Sequence, residues 1–322
     1  MLKKIFIVGI LFALVTPFYN ARAQEGAQGL TISPPISEID LTPGKVYDGI
    51  IKVNNPTKEV VEVYPIARNF SASGETGVPT IESPGEDATY GLASWISFSQ
   101  SKIALTPEQD IEFKYRITVP TDAEPGGHYG SVLFASQPPK PDEKATQVAL
   151  ASMIGSLILA KVPGNIIEKA DVKEFTTNRW LYFKPPVNFT LRITNSGNIH
   201  FKPQGEIVIS NWGKKKGTLD INSKKGNILP NTTRKFENLT YSQSKWAFGK
   251  FTAKLSSTYG ENNQPLTDQI TFWIIPWWLI VIKVIILATI IWLIIRKIKK
   301  NRRKKKSSQK SEPPQRKRVI LQ

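Results

Sequence analysis

The run IEFKYRITV, residues 111–119, places Ile111, Phe113, Tyr115, Ile117 and Val119 at every second position, with charged or hydroxyl side chains between them. Successive side chains of an extended strand point to opposite faces, so this is a strand with one face buried and the other in water. Its neighbours repeat the pattern. Residues 102–105 (KIAL) lead into it through Thr106-Pro107-Glu108-Gln109, a turn with proline at its second position. After Pro125-Gly126-Gly127 the chain enters another apolar run at 128–135, and a proline-rich loop separates that from residues 148–162.

Upstream, residues 30–33 (LTIS) stop at Pro34-Pro35, which confines that strand to a sheet edge or a switch between sheets. Residues 47–54 alternate and end at Asn54-Asn55-Pro56-Thr57. Residues 60–67 form the next strand, broken at Pro65, and residues 69–92 are a long excursion rich in Ser, Gly, Pro and acids before Trp95-Ile96-Ser97-Phe98. Strands at this spacing, with no helical periodicity between them, predict an antiparallel sandwich of immunoglobulin type. A degenerate repeat follows. Residues 189–198 (FTLRITNSGN) parallel 47–57, residues 227–241 parallel 102–119, and residues 248–255 parallel 128–135 with Phe251 where Tyr129 stood. The expected fold is all-β: one sandwich over 24–166 and a second, membrane-proximal one over 167–271.

Both ends carry membrane signals. Residues 274–295 are apolar apart from Pro276, Lys283 and Thr289. As a helix, these 22 residues reach about 33 Å, enough to cross a hydrocarbon core. Trp277 and Trp278 stand where indole rings favour the wet–dry boundary, and residues 296–306 hold nine Lys or Arg, the flank of a cytoplasmic side. A single transmembrane helix over 272–295 with a basic cytoplasmic tail over 296–322 is therefore predicted. Residues 1–23, with Lys3 and Lys4, an apolar run and Ala21-Arg22-Ala23, read as a secretory signal peptide, with an uncleaved anchor as the competing reading. Together they put the sandwiches outside the plasma membrane of a single-pass protein.

The net charge of +17 divides unevenly. The tail from 296 carries +12, while 24–166 is −7 and 167–275 is +8. Basic residues gathered in a juxtamembrane tail argue for anionic lipid headgroups and against nucleic acid as a partner. The acidic and basic halves either meet a polymer or membrane, keep the domains soluble, or hold them against each other. With no cysteine, the sandwiches must fold on their apolar cores alone.

No nucleophile elbow, HExxH, P-loop or EF-hand spacing occurs, so neither enzyme chemistry nor a metal or cofactor is expected. His128 and His200 each lie by a turn and read as surface residues. Candidate binding positions are few. The loop QPPKPDEKATQ at 137–147, with Pro139, Lys140 and Asp142, is a stiff recognition loop or a plain connection. Lys214, Lys215 and Lys216, and Lys224 with Lys225, are basic turns that contact a phosphate-bearing polymer or stay solvated. Trp95, Trp180 and Trp212 stack on sugars or fill the core, the core being their commoner fate. Tyr129 either bonds its hydroxyl back to the preceding turn, as in a tyrosine corner, or is an ordinary strand tyrosine. Lys283 either snorkels towards Trp277 and Trp278 or pairs with an acid on a partner helix.

The order Leu30-Thr-Ile-Ser-Pro-Pro35, Val53-Asn-Asn-Pro-Thr57, Trp95-Ile96, Ile103-Ala-Leu-Thr-Pro107, Val119-Pro120 and Pro125-Gly-Gly-His-Tyr-Gly130, then a second sandwich, one span and a basic tail, resembles the bacterial WxL-interacting proteins. Their first domain is described as peptidoglycan-binding and their second as binding a host or surface partner. The resemblance implies a non-enzymatic protein that attaches to cell-wall peptidoglycan and gathers or displays surface proteins. A structural or assembly subunit of an envelope complex is the alternative.

Overall fold

A computed structural model describes residues 29–83, 89–138, 153–243 and 247–309. The first sandwich contains β1 (Thr31–Ser33), β2 (Ile36–Asp40), β3 (Val46–Asn54), β4 (Val61–Ser73), β5 (Val78–Ile81), β6 (Ile96–Phe98), β7 (Ile103–Leu105), β8 (Asp110–Thr118), β9 (Gly126–Ala135) and β10 (Met153–Val162). One sheet runs β1-β3-β8-β6 and the other β2-β10-β9-β4-β5, with β7 also on β4. The alternation in β8 does what its pattern dictates: Phe113, Tyr115 and Ile117 are buried with Ile51 and Val53 of β3 against Val132, Phe134 and Ile158 of the facing sheet.

Pro34-Pro35 is the switch between sheets. β1 pairs β3 in one, and β2 leaves to pair β10 in the other. That second pairing is parallel, an exception to the all-antiparallel expectation, possible because nearly the whole sandwich lies between the two strands as their crossover. β4 also differs from expectation. It runs unbroken through Pro65 to Ser73, and the excursion begins as a β4–β5 hairpin. On the edge away from β9, β7 pairs Val61–Val63 and β5 pairs Phe70–Ser73. Pro65 falls in the gap between these partners, where a strand tolerates a residue without an N–H.

The second sandwich is built from β11 (Ala170–Thr177), β12 (Leu181–Tyr182), β13 (Val187–Asn195), β14 (Gln204–Asn211), β15 (Lys214–Asp220), β16 (Thr233–Phe236), β17 (Thr240–Tyr241), β18 (Gly249–Tyr259) and β19 (Gln264–Ile274). Its sheets are β11-β13-β16, with β17 also on β13, and β12-β19-β18-β14-β15. Its core, which includes Leu191, Ile193, Ile207, Phe251, Phe272 and Ile274, draws on no residue before Ala170.

The two sandwiches share a buried turn device. Asn55 follows β3, and its amide donates to the carbonyls of Glu59, Leu105 and Thr106 while its oxygen accepts from Thr57. Asn195 ends β13 and donates to the carbonyls of Ile199 and Ile228 while accepting from Gly197 N–H. Neither asparagine is exposed to solvent. Each closes a loop onto a segment distant in sequence through side-chain amide bonds to backbone carbonyls.

The strand register continues further into the predicted span than its apolar composition suggests. Phe272 and Ile274 are fully buried in the second core, so β19 ends at Ile274 and the helix α1 (Trp277–Gln309) begins after Pro276, not at residue 272. Over residues 277–302 it is long and apolar enough to cross a membrane, with a mean hydropathy of 2.8 in its most apolar window. The helix carries on into the basic run, which is therefore helical to Gln309. The predicted signal peptide lies outside the described residues.

Candidate functional site

β9 is buried along its entire length, which its mixed sequence GGHYGSVLFA does not suggest. One face points into the first core through Val132 and Phe134. On the other, Tyr129 packs with Phe70 and Leu159 of its own domain and with Leu229 of the second. The ring meets His200 of the second sandwich edge to face at 5.5 Å.

Tyr129 does not bond back to its own turn. Its hydroxyl accepts the backbone N–H of His200 at 3.0 Å and lies 3.1 Å from His200 Nδ1, to which it donates when that nitrogen is unprotonated. Burial raises the phenol pKa well above its usual value. Burial also pushes His200 down to about 4, so at neutral pH its imidazole is uncharged and Nδ1 can accept. Glu38 and Asp40 oppose that shift, while Lys202 and Lys161 reinforce it.

Two turns that look unrelated in sequence meet here. Gly127 N–H donates to Asn198 O at 2.8 Å, and a Cβ on Gly127 would stand 2.0 Å from the Tyr129 hydroxyl. The Asn198 side chain accepts Ile167 N–H and donates to Asn165 O, stapling the linker to the second domain. Both histidines correct the surface reading. His128 is buried on the core face of β9, held between the Glu124 and Gly91 carbonyls and packed on Trp95 with ring centroids 4.5 Å apart.

Ion pairs surround the contact. Lys202 Nζ lies 2.6 Å from Glu38, which also accepts from Asn227 at 2.8 Å. Burial raises the Glu38 pKa, but these two donors outweigh it and leave it below the ordinary carboxylate range. Arg192 forms a fork onto Glu75 and reaches Glu174 at 3.1 Å. In the Lys202–Glu38 and Arg192–Glu75 pairs, two of the three that cross the junction among the described residues, the acid belongs to the −7 half and the base to the +8 half. Lys161 with Glu261 runs the opposite way. Part of the charge division thus holds the domains against each other.

Beside this contact an open cleft of about 550 Å³ lies between the domains. Phe70, Leu157, Leu159 and Leu229 supply an apolar wall, Lys224, Lys225 and Arg234 a basic rim, and the paired Glu38 and Lys202 also line the cleft. The Arg234 guanidinium fits between two glycines, since a Cβ on Gly77 or Gly226 would come within 2.5 Å of it. It donates to Asn227 O at 2.8 Å, and burial lowers its pKa. No carboxylate pairs with Arg234, Lys224 or Lys225 among the described residues. The arrangement suits a ligand with an anionic group and an apolar portion.

The other predicted positions scatter. Lys224 and Lys225 are on the cleft, whereas Lys214, Lys215 and Lys216 start β15 at the opposite end of the second sandwich, with Lys215 3.7 Å from Glu206. Trp95 is half-buried against the first core. Trp180 and Trp212 are 73% and 67% exposed, against the core expectation, because both sit in turns. Pro139, Lys140 and Asp142 lie outside the described residues. Trp277 and Trp278 open α1, and Lys283 stands on it two turns in. No group of three or more His, Asp or Glu that could hold a metal occurs among the described residues.

Neither the known protein families nor the curated proteins match this chain. Among solved structures it is similar to the class 5 fimbriae chaperone CfaA, at 16% identity and a TM-score of 0.38, over 75% of this chain and 98% of that one. The CsuC–CsuE chaperone–tip adhesion subunit pre-assembly complex of Acinetobacter baumannii gives 12% and 0.35, over 75% and 97%. A PapD-like domain of human CEP192 gives 9% and 0.27, over 50% and 98%. Similarity at this level does not identify a ligand.

Proposed function

We propose that this chain is a non-enzymatic, membrane-anchored cell-surface binding protein. Its two sandwiches lie outside the plasma membrane, and the cleft between them holds a segment of cell-wall peptidoglycan. The observation that carries this reading is the cleft: a basic rim without carboxylate partners, above an apolar wall, between domains joined by buried hydrogen bonds and ion pairs. Peptidoglycan stem peptides combine carboxylates with small apolar side chains, which is the chemistry that such a cleft accepts. The resemblance to WxL-interacting proteins points the same way. The basic run in the C-terminal part of α1 supports a cytoplasmic C-terminus.

Sedimentation of the purified region 24–275 with cell-wall sacculi tests it, since both cores are complete without the helix. Binding that weakens when Lys224 and Lys225 become glutamine is expected. Absence of co-sedimentation, with the fragment folded, would overturn the peptidoglycan assignment.

A further inference from the structure

All exposed tryptophan and phenylalanine side chains of the described sandwiches gather at one place. Trp180, Phe183, Trp212, Phe248 and Trp273 are 73, 52, 67, 44 and 41% exposed. Pairing brings them together at the helix end of the second sandwich. Trp273 N–H donates to Trp180 O, and Ile275 N–H donates to Tyr182 O, one residue before Phe183. Trp212 packs edge to face on Phe248 at 5.0 Å, and the adjacent Gly249 pairs with Ile274. The other exposed large hydrophobics of the sandwiches are isolated aliphatics such as Val46, Val60 and Ile167.

The same end is basic. Arg179 and Lys184 flank Trp180 and Phe183, Lys214 and Lys216 follow the Trp212 turn, and Lys250 pairs in register with Trp273. All five are exposed, and the segments 178–184, 212–219, 247–254 and 269–276 contain no acid. Only Ile275 and Pro276 separate β19 from α1, and Ile275 is itself bonded to β12. Once α1 spans a bilayer, this end cannot stand off from the surface by more than a few ångströms. Indole rings partition to the headgroup region, and basic side chains there meet lipid phosphates.

From this geometry we infer that the helix end of the second sandwich is a membrane-docking face. Its aromatic collar inserts at the headgroup layer, and its basic residues bind the phosphates of anionic lipids. The docking rests on the anchoring by α1 but not on the cleft or its ligand. It makes the sandwich a rigid pedestal, so the cleft is presented at a set height and tilt above the bilayer.

The chain has no cysteine, so single probe sites are simple to introduce. Trp212→Cys, Phe183→Cys, Val78→Cys and Leu287→Cys, each in the full chain with a fluorescent label, go into nanodiscs whose lipids carry bromine near the headgroup or deep in the acyl chain. Nanodiscs contain no wall polymer, so any contact is with lipid. Expected is strong quenching at 212 and 183 by shallow bromine, none at 78, and quenching at 287 by deep bromine only. The signal at 212 and 183 should weaken with zwitterionic lipid or high salt. Probes at 212 and 183 that stay as unquenched as 78, while 287 is quenched, overturn the docking. Equal quenching in zwitterionic lipid overturns the anionic-headgroup part. Absence of quenching at 287 removes the anchoring and with it the inference.

Discussion

The Tyr129 hydroxyl of the first sandwich meets both the backbone N–H and the imidazole Nδ1 of His200 in the second, at 3.0 and 3.1 Å. One buried phenol therefore satisfies two polar groups of the other domain. Removing the hydroxyl leaves the His200 N–H and Nδ1 without that hydrogen bond, which costs more than the bond itself contributes.

Tyr129→Phe keeps the ring contacts and deletes the hydroxyl. It should destabilise the junction by about 1–3 kcal/mol, through the stranded His200 groups. Calorimetry is expected to show a lower Tm, with the two sandwiches melting less cooperatively. Gly127→Ala should do the same by displacing the hydroxyl, because its Cβ would fall 2.0 Å from that oxygen. A Tyr129→Phe Tm equal to the parent would show the two bonds to be dispensable.

Acid should loosen the junction. His200 is held at about 4 against an ordinary value of about 6.5. Its contribution is complete above pH 6.5. Between about 6.5 and 4 the undocked or unfolded chain binds a proton that the docked one refuses, so stability falls across that window and levels below it. The loss is on the order of 3 kcal/mol at most. Thermal melts from pH 7 to 4 should show this fall, and His200→Asn should flatten it. A parent chain equally stable at both ends of the range would contradict the assignment.

Asn55→Ala should cost about 3 kcal/mol, since it strands three loop carbonyls and the Thr57 N–H inside the protein. Chemical denaturation of the 24–275 fragment measures it. Asn195→Ala should be similar in the second sandwich, whereas Asn222→Ala, in a more exposed turn, should cost less.

Lys224→Gln with Lys225→Gln removes two charges from the cleft rim without touching either core. Sacculus binding should fall severalfold with Tm unchanged, and the parent's binding should weaken with added salt. Lys214→Gln with Lys216→Gln, at the far end of the same domain, should leave wall binding intact.

Period-two alternation made β8, β3 and the core faces of both sandwiches legible, because burial of one strand face imprints itself on every second residue. The junction left no comparable trace. Gly127, Asn198 and His200 were visible only as turn residues, and a turn's composition reports its backbone geometry rather than what is packed on top of it. Trp180 and Trp212 show the converse. Large aromatic residues suggest a core by composition, yet their turns hold them in solvent beside the helix.

The amino-acid order by itself determined that there are two cores, an apolar helix after them, and an acidic half joined to a basic one. These are properties of local periodicity and composition, which act along the chain. Only the tertiary structure decided that β19 keeps Phe272 and Ile274 for the core, that Lys224 and Lys214 serve opposite ends of one domain, and that Tyr129 reaches His200. Each of these depends on contacts between residues distant in sequence, whose energies come from burial and geometry that no single segment contains.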